Sequence, residues 1–462
     1  MDDIVKKLLN GTLSLPLHNC KLTQRSAPEP IIYTGHGLID QNRNLKIALR
    51  LFAEAVEPTE ALMRQFDRPF TPGILVPDSG YYDFEGTDLH GEKWSAKRLT
   101  IKTDFGASTY IQIKPRQLNK ADERNQAPAS PFINAFIPLQ IELPWHDITQ
   151  FGDLSWKRDK FSHNTTSHEW SVRKTELGTW IHFSGKADTI NDDFENFIRA
   201  LSILSGRHLS PTVTDEHIGL KRATHVRNIE KEDASLPPPL NHQLCEQVDA
   251  HGFITKFLAH PQHEHLALIH RMWHRVLRAR ESDIENRSLV LAVAIEGLLM
   301  KAVSNKDDTD AEFQAQIDSV MPNIEAITLP DRVLNCIRSS FKNAIQAKPK
   351  SVLQRLIKRN IIDAAHLKAW GKMRNLGAHG KGLDWEPEAI QNHLVRFHTC
   401  LDLFYRLTFF LIGYTGKHRN YSAAGWPTTP FPNPSSLTQA TTSPISTSLT
   451  PAANCPPASR ES

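Results

Sequence analysis

Arg374 and His379 stand five positions apart in the stretch "WGKMRNLGAHGKGLDWEPEA" (Trp370–Ala389), with Asn375 directly after the arginine and Gly377, Gly380 and Gly382 around the histidine. A guanidinium stays ionised at any physiological pH and offers phosphate oxygens a fork of donors. It can stabilise the charge that builds on a phosphate under attack. An imidazole, with an ordinary pKa near ~6.5, can accept a proton from a ribose 2′-hydroxyl or donate one to a leaving 5′-oxygen. RNA brings its own nucleophile, so the chemistry this pair suits is phosphodiester cleavage that needs no metal and no cofactor.

Spacing alone is not specific. A chain with this many arginines and histidines holds on the order of one such match by chance, and a second is present: Arg158 and His163 in "RDKFSH". That one reads as a polar loop with no helix beside it. The first has context. The segment "IDAAHLKAWGKMRNL" before it is helical in period, the glycines break the helix, and "DWEPEA" supplies Asp384 as an N-cap with Glu386 and Glu388 in the first turn of the next helix. An arginine at a helix end and a histidine in the following turn can project to one side.

Other chemistry-bearing stretches are weaker. "HPQHEHLALIHRMWHR" (His260–Arg275) places His270 and His274 at i, i+4, the spacing of a zinc hydrolase, but Arg, Met and Trp stand between them where a catalytic Glu is required. A solvated or partly packed helix face is the simpler account. The basic runs "HRVLRARE", "LKRATHVR" (Leu220–Arg227) and "LIKR" could touch an RNA backbone or could be solvated faces. "LSILSGRHLSP" lacks the phosphate-loop pattern, and no Gly-x-Gly-x-x-Gly follows a strand. Aromatics in "YYDFEG" and "GTWIHF" read as sheet core.

The elements that must position the pair divide the chain in two. With 462 residues there is room for two or three domains. A hydrophobic fraction of 40% and a net charge of +3 describe a globular protein without an overall nucleic-acid charge signature. Five scattered cysteines suggest neither a disulfide framework nor a local zinc knuckle. The N-terminus does not read as a signal peptide, and the longest apolar run, "LTFFLIGY", is far shorter than a membrane span. A cytoplasmic location, without membrane contact, is therefore expected.

Leu13–Ala187 alternates in strand fashion, with a hairpin expected around His90–Gly91. A helix is expected over Asp192–Arg207, capped by Asp192 and ended by Gly206. "ASLPPPLN" (Ala234–Asn241) reads as an extended spacer. Six helical segments follow, from "EHLALIHRMWHRVLRARE" to "EPEAIQNHLVRFHTCLDLFYRLTFFLIGY", with apolar residues at i, i+3, i+4 and i+7. The expected class is α+β multidomain: a β-rich domain over 1–235, a linker over 236–260, an all-α bundle over 261–420, and a Ser/Thr/Pro-rich disordered tail over 421–462.

"RNLGAH" between two bundle helices resembles the Arg-x4-6-His signature of the HEPN superfamily, in which a polar residue, commonly Asn, often follows the Arg. "SLVLAVAIEGLLMKAV" resembles an earlier helix of that family, with Glu296 as an acid on its apolar face. In the first half, "YYDFEGTDLHGEKW" and "FENFIRALSILSGR" are similar to the N-terminal domain of ApeA-like anti-phage HEPN proteins. The resemblance implies a homodimeric bundle with a composite, metal-independent endoribonuclease site acting in abortive-infection defence. Arg374 would bind the phosphate, His379 would be general acid or base, Asn375 would orient the site, and Glu296 would support it. RNA is the implied partner, and the N-terminal domain would sense a phage-derived trigger. The alternative is an inactive HEPN module that dimerises and regulates a partner.

Overall fold

The computed structural model describes residues 1–42, 44–57, 75–105, 109–123, 126–145, 147–151, 155–230, 234–240, 247–304, 311–327, 329–345, 348–378 and 386–432. Among them, fifteen strands join one sheet, every neighbouring pair antiparallel. Twisted sheets this wide curl or split rather than stay flat, and this one serves two cores. The strand Phe132–Ile137 divides them. Ile133, Ala135 and Ile137 face the larger core and Phe136 the smaller, as the period-two alternation of a strand requires.

The smaller core gathers Val5 and Leu8 of helix α1 (Asp2–Leu9) with Tyr33, Phe84 and Trp94 of the sheet. The hairpin expected at His90–Gly91 is present, with Thr87 opposite Lys93. Buried Asp88 organises its turn. One oxygen accepts the His90 and Glu92 backbone N–H groups at 2.8 and 2.9 Å, and the other accepts Trp94 Nε1 at 3.1 Å.

Helix α2 (Ile190–Ser205) lays Phe197, Leu201 and Leu204 on the sheet's Trp170 and Phe183. It starts two residues before the expected Asp192 cap, with Thr189 at the N-cap position. It ends at Gly206, as the sequence implied, with φ at +68°. A Cβ there would sit 2.1 Å from the Leu236 carbonyl oxygen, so only glycine lets the proline-rich segment pass so close. Two further strands, Val213–Ile218 and Lys221–Arg227, follow α2.

The proline-rich segment is not a free spacer. Leu236 and Leu240 are buried. Its carbonyls, left unpaired by extended backbone, accept Tyr405 Oη at Pro237 (2.7 Å), Tyr421 Oη at Pro238 (2.7 Å) and the Arg419 N–H at Pro239 (2.9 Å).

Helix α3 (Gln247–Leu258) lies inside the interval expected as linker, burying Ala250, Phe253, Ile254 and Phe257. After it come α4 (His263–Arg278), α5 (Ile284–Leu298), α6 (Ala311–Glu325), α7 (Asp331–Ile345), α8 (Pro349–Lys358), α9 (Ala364–Ala378) and α10 (Pro387–Ile412). A π-helical turn, Leu299–Val303, extends α5. The α+β class holds in this form: a large antiparallel sheet first, helices after it.

Two boundaries move. Phe161, Trp170 and Phe183 of the sheet share one core with Phe253, Trp273 and Phe404 of the helices, so the division at 235 passes through shared packing. The expected tail boundary at 421 falls within a small hairpin, Gly416–Arg419 paired with Thr428–Phe431. Tyr421 and Phe431 are buried there; two apolar rings suffice to seat a segment whose composition alone reads as unstructured. Residues 433–462 lie outside the described set. No helix among the described residues is long and apolar enough to cross a membrane.

Candidate functional site

Helix α9 carries Arg374 near its C-terminal end and is fixed at three successive turns. His366, Trp370 and Arg374 recur every four residues and so share a face. Trp370 Nε1 donates to the Ala292 carbonyl of α5 at 3.1 Å. One turn further along both helices, Arg374 Nε donates to Glu296 Oε2 at 2.8 Å and Nη2 to Oε1 at 3.2 Å. Two contacts advancing together, 292 to 296 and 370 to 374, set the register of α9 on α5. The Arg374 guanidinium also lies over the Trp370 ring, 5.7 Å from its centroid.

The His366 end is built of buried charge. The imidazole is fully buried, with Nδ1 2.9 Å from Asp363 Oδ1 and Nε2 2.9 Å from Asp402 Oδ2. Asp402, also fully buried, takes Arg406 Nε at 2.6 Å and the Tyr421 N–H at 3.2 Å. Burial opposes charge on His366, but the hydrogen bonds to Asp363 and Asp402 outweigh it and raise its pKa. Burial likewise works against the Asp402 carboxylate, yet His366 and Arg406 hold its pKa down. The network ties α9 to α10 and to the 416–431 hairpin.

Arg374 keeps about half its side chain exposed, and Asn375 is exposed. His379 lies outside the described residues, as do Gly380, Gly382 and Asp384. Gly377 does not break the helix: α9 continues through Ala378. Helix α10 starts at Pro387 with Glu386 at the N-cap position; proline, preset for the first turn, fixes the start. The arrangement therefore offers a half-exposed guanidinium gripped by a carboxylate, five positions before the histidine in sequence. Trp370, which the sequence reading left out of this site, is signalled by its i, i−4 spacing to Arg374. The Glu296 contact, 78 residues away in sequence, is not.

The competing stretches resolve differently. Arg158 and His163 are not in a loop but in the strand Ser155–Asn164. An odd spacing in a strand sends the two side chains to opposite faces, and His163 stacks on His251 at 4.2 Å. In "LKRATHVR", Arg222 is bound twice by Asp215, at 2.9 and 3.0 Å, and His225 contacts Glu216 at 3.1 Å, so these two side chains are engaged within the sheet while Lys221 and Arg227 stay exposed. Among the described residues no three potential metal ligands converge. His208 and His274 stack at 4.3 Å, and His270 lies parallel to His274 at 6.1 Å. Rings stacked face to face do not bring in-plane lone pairs to one point.

Those imidazoles carry a pH prediction. Burial, aided by the charges of His208, Arg199 and His274, depresses His270 to about 3. Burial depresses His418 to about 4 despite the nearby Asp402. The unfolded chain takes up these protons first, near ~6.5, so stability falls as pH drops from there. At pH 5 each group costs about 2 kcal/mol. Urea unfolding at pH 7.5 and 5 should show the loss, and His270→Leu should remove about 2 kcal/mol of it. An unchanged pH dependence in that variant would contradict the assignment.

Compared with known protein families, with curated proteins and with solved structures, the chain matches none.

Proposed function

We propose that this chain is a metal-independent endoribonuclease of the HEPN type, acting as a homodimer in anti-phage defence. The observation that supports it is the half-exposed Arg374, held by Glu296 on the last turns of α9, immediately before the glycine-rich segment with His379. In this reading Arg374 grips a non-bridging phosphate oxygen and Asn375 orients the strand. One His379 takes the 2′-hydroxyl proton as that oxygen attacks phosphorus. The His379 of a second copy gives a proton to the departing 5′-oxygen. The products are a 2′,3′-cyclic phosphate and a 5′-hydroxyl end. A two-fold axis supplies both acid and base from one residue.

The reading is tested by incubating the purified chain with total RNA, with and without EDTA, beside a His379→Ala variant. Cleavage by the wild type that survives EDTA and vanishes in the variant is the expected result. Equal RNA integrity in both samples would sink it.

One observation favours a second reading. Glu296 occupies Arg374 with two hydrogen bonds, as a purely structural tie between α5 and α9 would. The bundle would then be a catalytically silent module that dimerises and regulates a partner, and cell growth would be indifferent to both Arg374 and His379.

A further inference from the structure

Away from Arg374, α4, α5 and α10 line an open cleft of about 130 Å³ together with the proline-rich segment. Arg280 and Arg287 line it alongside Val276, Leu394, Phe397 and His398, and among the described residues no acidic side chain lines it. Its place on α5 is the first turn, beginning at Ile284. Glu296 lies twelve residues on, roughly 18 Å along the helix, so this is a separate site from the one at the end of α9.

Both arginines are held by hydrogen bonds that leave donors over. Arg280 Nη1 donates to Ser235 Oγ at 2.8 Å, and Arg287 Nε donates to the Ser282 carbonyl at 2.8 Å. Each guanidinium keeps donors free for an anion, and an arginine can hold a phosphate through two parallel N–H groups. Phe397 and His398 line the same cleft, their rings edge to face with centroids 5.7 Å apart, the latter packed on Trp426 at 4.9 Å. A bare inorganic anion would leave the apolar wall unused, and a purely apolar ligand would desolvate two cations without compensation. A planar ring bearing a phosphate satisfies both halves.

We propose that this cleft binds a nucleoside monophosphate, with its phosphate on Arg280 and Arg287 and its base against Phe397 and His398. Leu394, Phe397 and His398 belong to α10, the helix that follows the segment carrying His379. A ligand seated here touches the helices on both sides of the Arg374 site without entering it.

The test is isothermal titration of the full chain with adenosine 5′-monophosphate, adenosine and inorganic phosphate in parallel. The nucleotide should bind at least tenfold more tightly than either half alone. The Arg280→Ala/Arg287→Ala double variant should weaken it at least tenfold, and Arg280→Gln, which keeps most of the side-chain volume, severalfold. Phe397→Ala should weaken the nucleotide and leave the affinity for inorganic phosphate where it was. Arg374→Ala should leave nucleotide affinity unchanged; since this nucleotide has no 3′-phosphodiester to cut, binding stands or falls apart from RNA cleavage. Phosphate binding as tightly as the nucleotide, nucleotide affinity indifferent to both arginines, or no binding at all would overturn the proposal.

Discussion

Asp402→Asn should cost about 3–5 kcal/mol of folding stability, the range for breaking a buried ion pair from one side. The substitution preserves shape but removes the charge that His366 and Arg406 both face. His366, fully buried, would keep only Asp363, whose own side chain is largely exposed. Arg406, mostly buried, would lose its 2.6 Å partner. Left uncompensated, His366 loses its proton and Arg406, which cannot, draws in water; both disrupt the packing between α9, α10 and the hairpin. Urea denaturation of the two proteins side by side reads the difference.

The pH dependence of that difference follows from the signs. Asp402 and Asp363 have pKa values lowered by folding, Asp363 through its His366 hydrogen bond. Their contribution is present above ~4 and fades as pH falls through the folded values. His366 is raised, so its contribution is complete below ~6.5 and fades as pH climbs through its folded pKa. The gap between wild type and Asp402→Asn should therefore be widest between ~4 and ~6.5. Replacing His366, Asp402 and Arg406 together with apolar residues of similar volume should recover much of the loss. A gap below 1 kcal/mol for the single substitution would mean that the network is hydrated.

What could be read from sequence follows the range of the interactions. Local ones were visible: the 3.6-residue period of six helices, the His90–Gly91 turn, the Gly206 stop. α3 has the same period at Ala250, Phe253, Ile254 and Phe257, but Gly252 within it and the prolines before it masked the pattern. Pro322 likewise hid α6. Non-local features were out of reach. Nothing near residue 235 announces that Trp170 and Phe253 will share a core, and Glu296 or Asp402 cannot be assigned partners without knowing which helices meet. Arg374 was identifiable because its signal, a cation at a helix end before a glycine-rich break, is itself local.

Arg374→Ala should separate stability from activity more cleanly than any other change in this chain. Its ion pair with Glu296 is exposed, about half on the arginine side and about a third on the glutamate side, and pairs of that kind contribute roughly 0.2–1 kcal/mol. Trp370 continues to pin α9 through Ala292, so the fold should lose less than ~1 kcal/mol. A phosphate ligand removed from a charge-developing transition state costs about 10²–10³ in rate. Arg374→Lys should recover only a small part, because an ammonium cannot reproduce a two-donor fork. The reversed pair, Arg374→Glu with Glu296→Arg, keeps an ion pair between the helices and should restore the denaturation midpoint. It moves the guanidinium from α9 to α5, so RNA cleavage should stay lost. A reversed pair that cut RNA as the wild type does would show that Arg374 serves only to hold α9 on α5, and its role as the phosphate ligand would have to be given up.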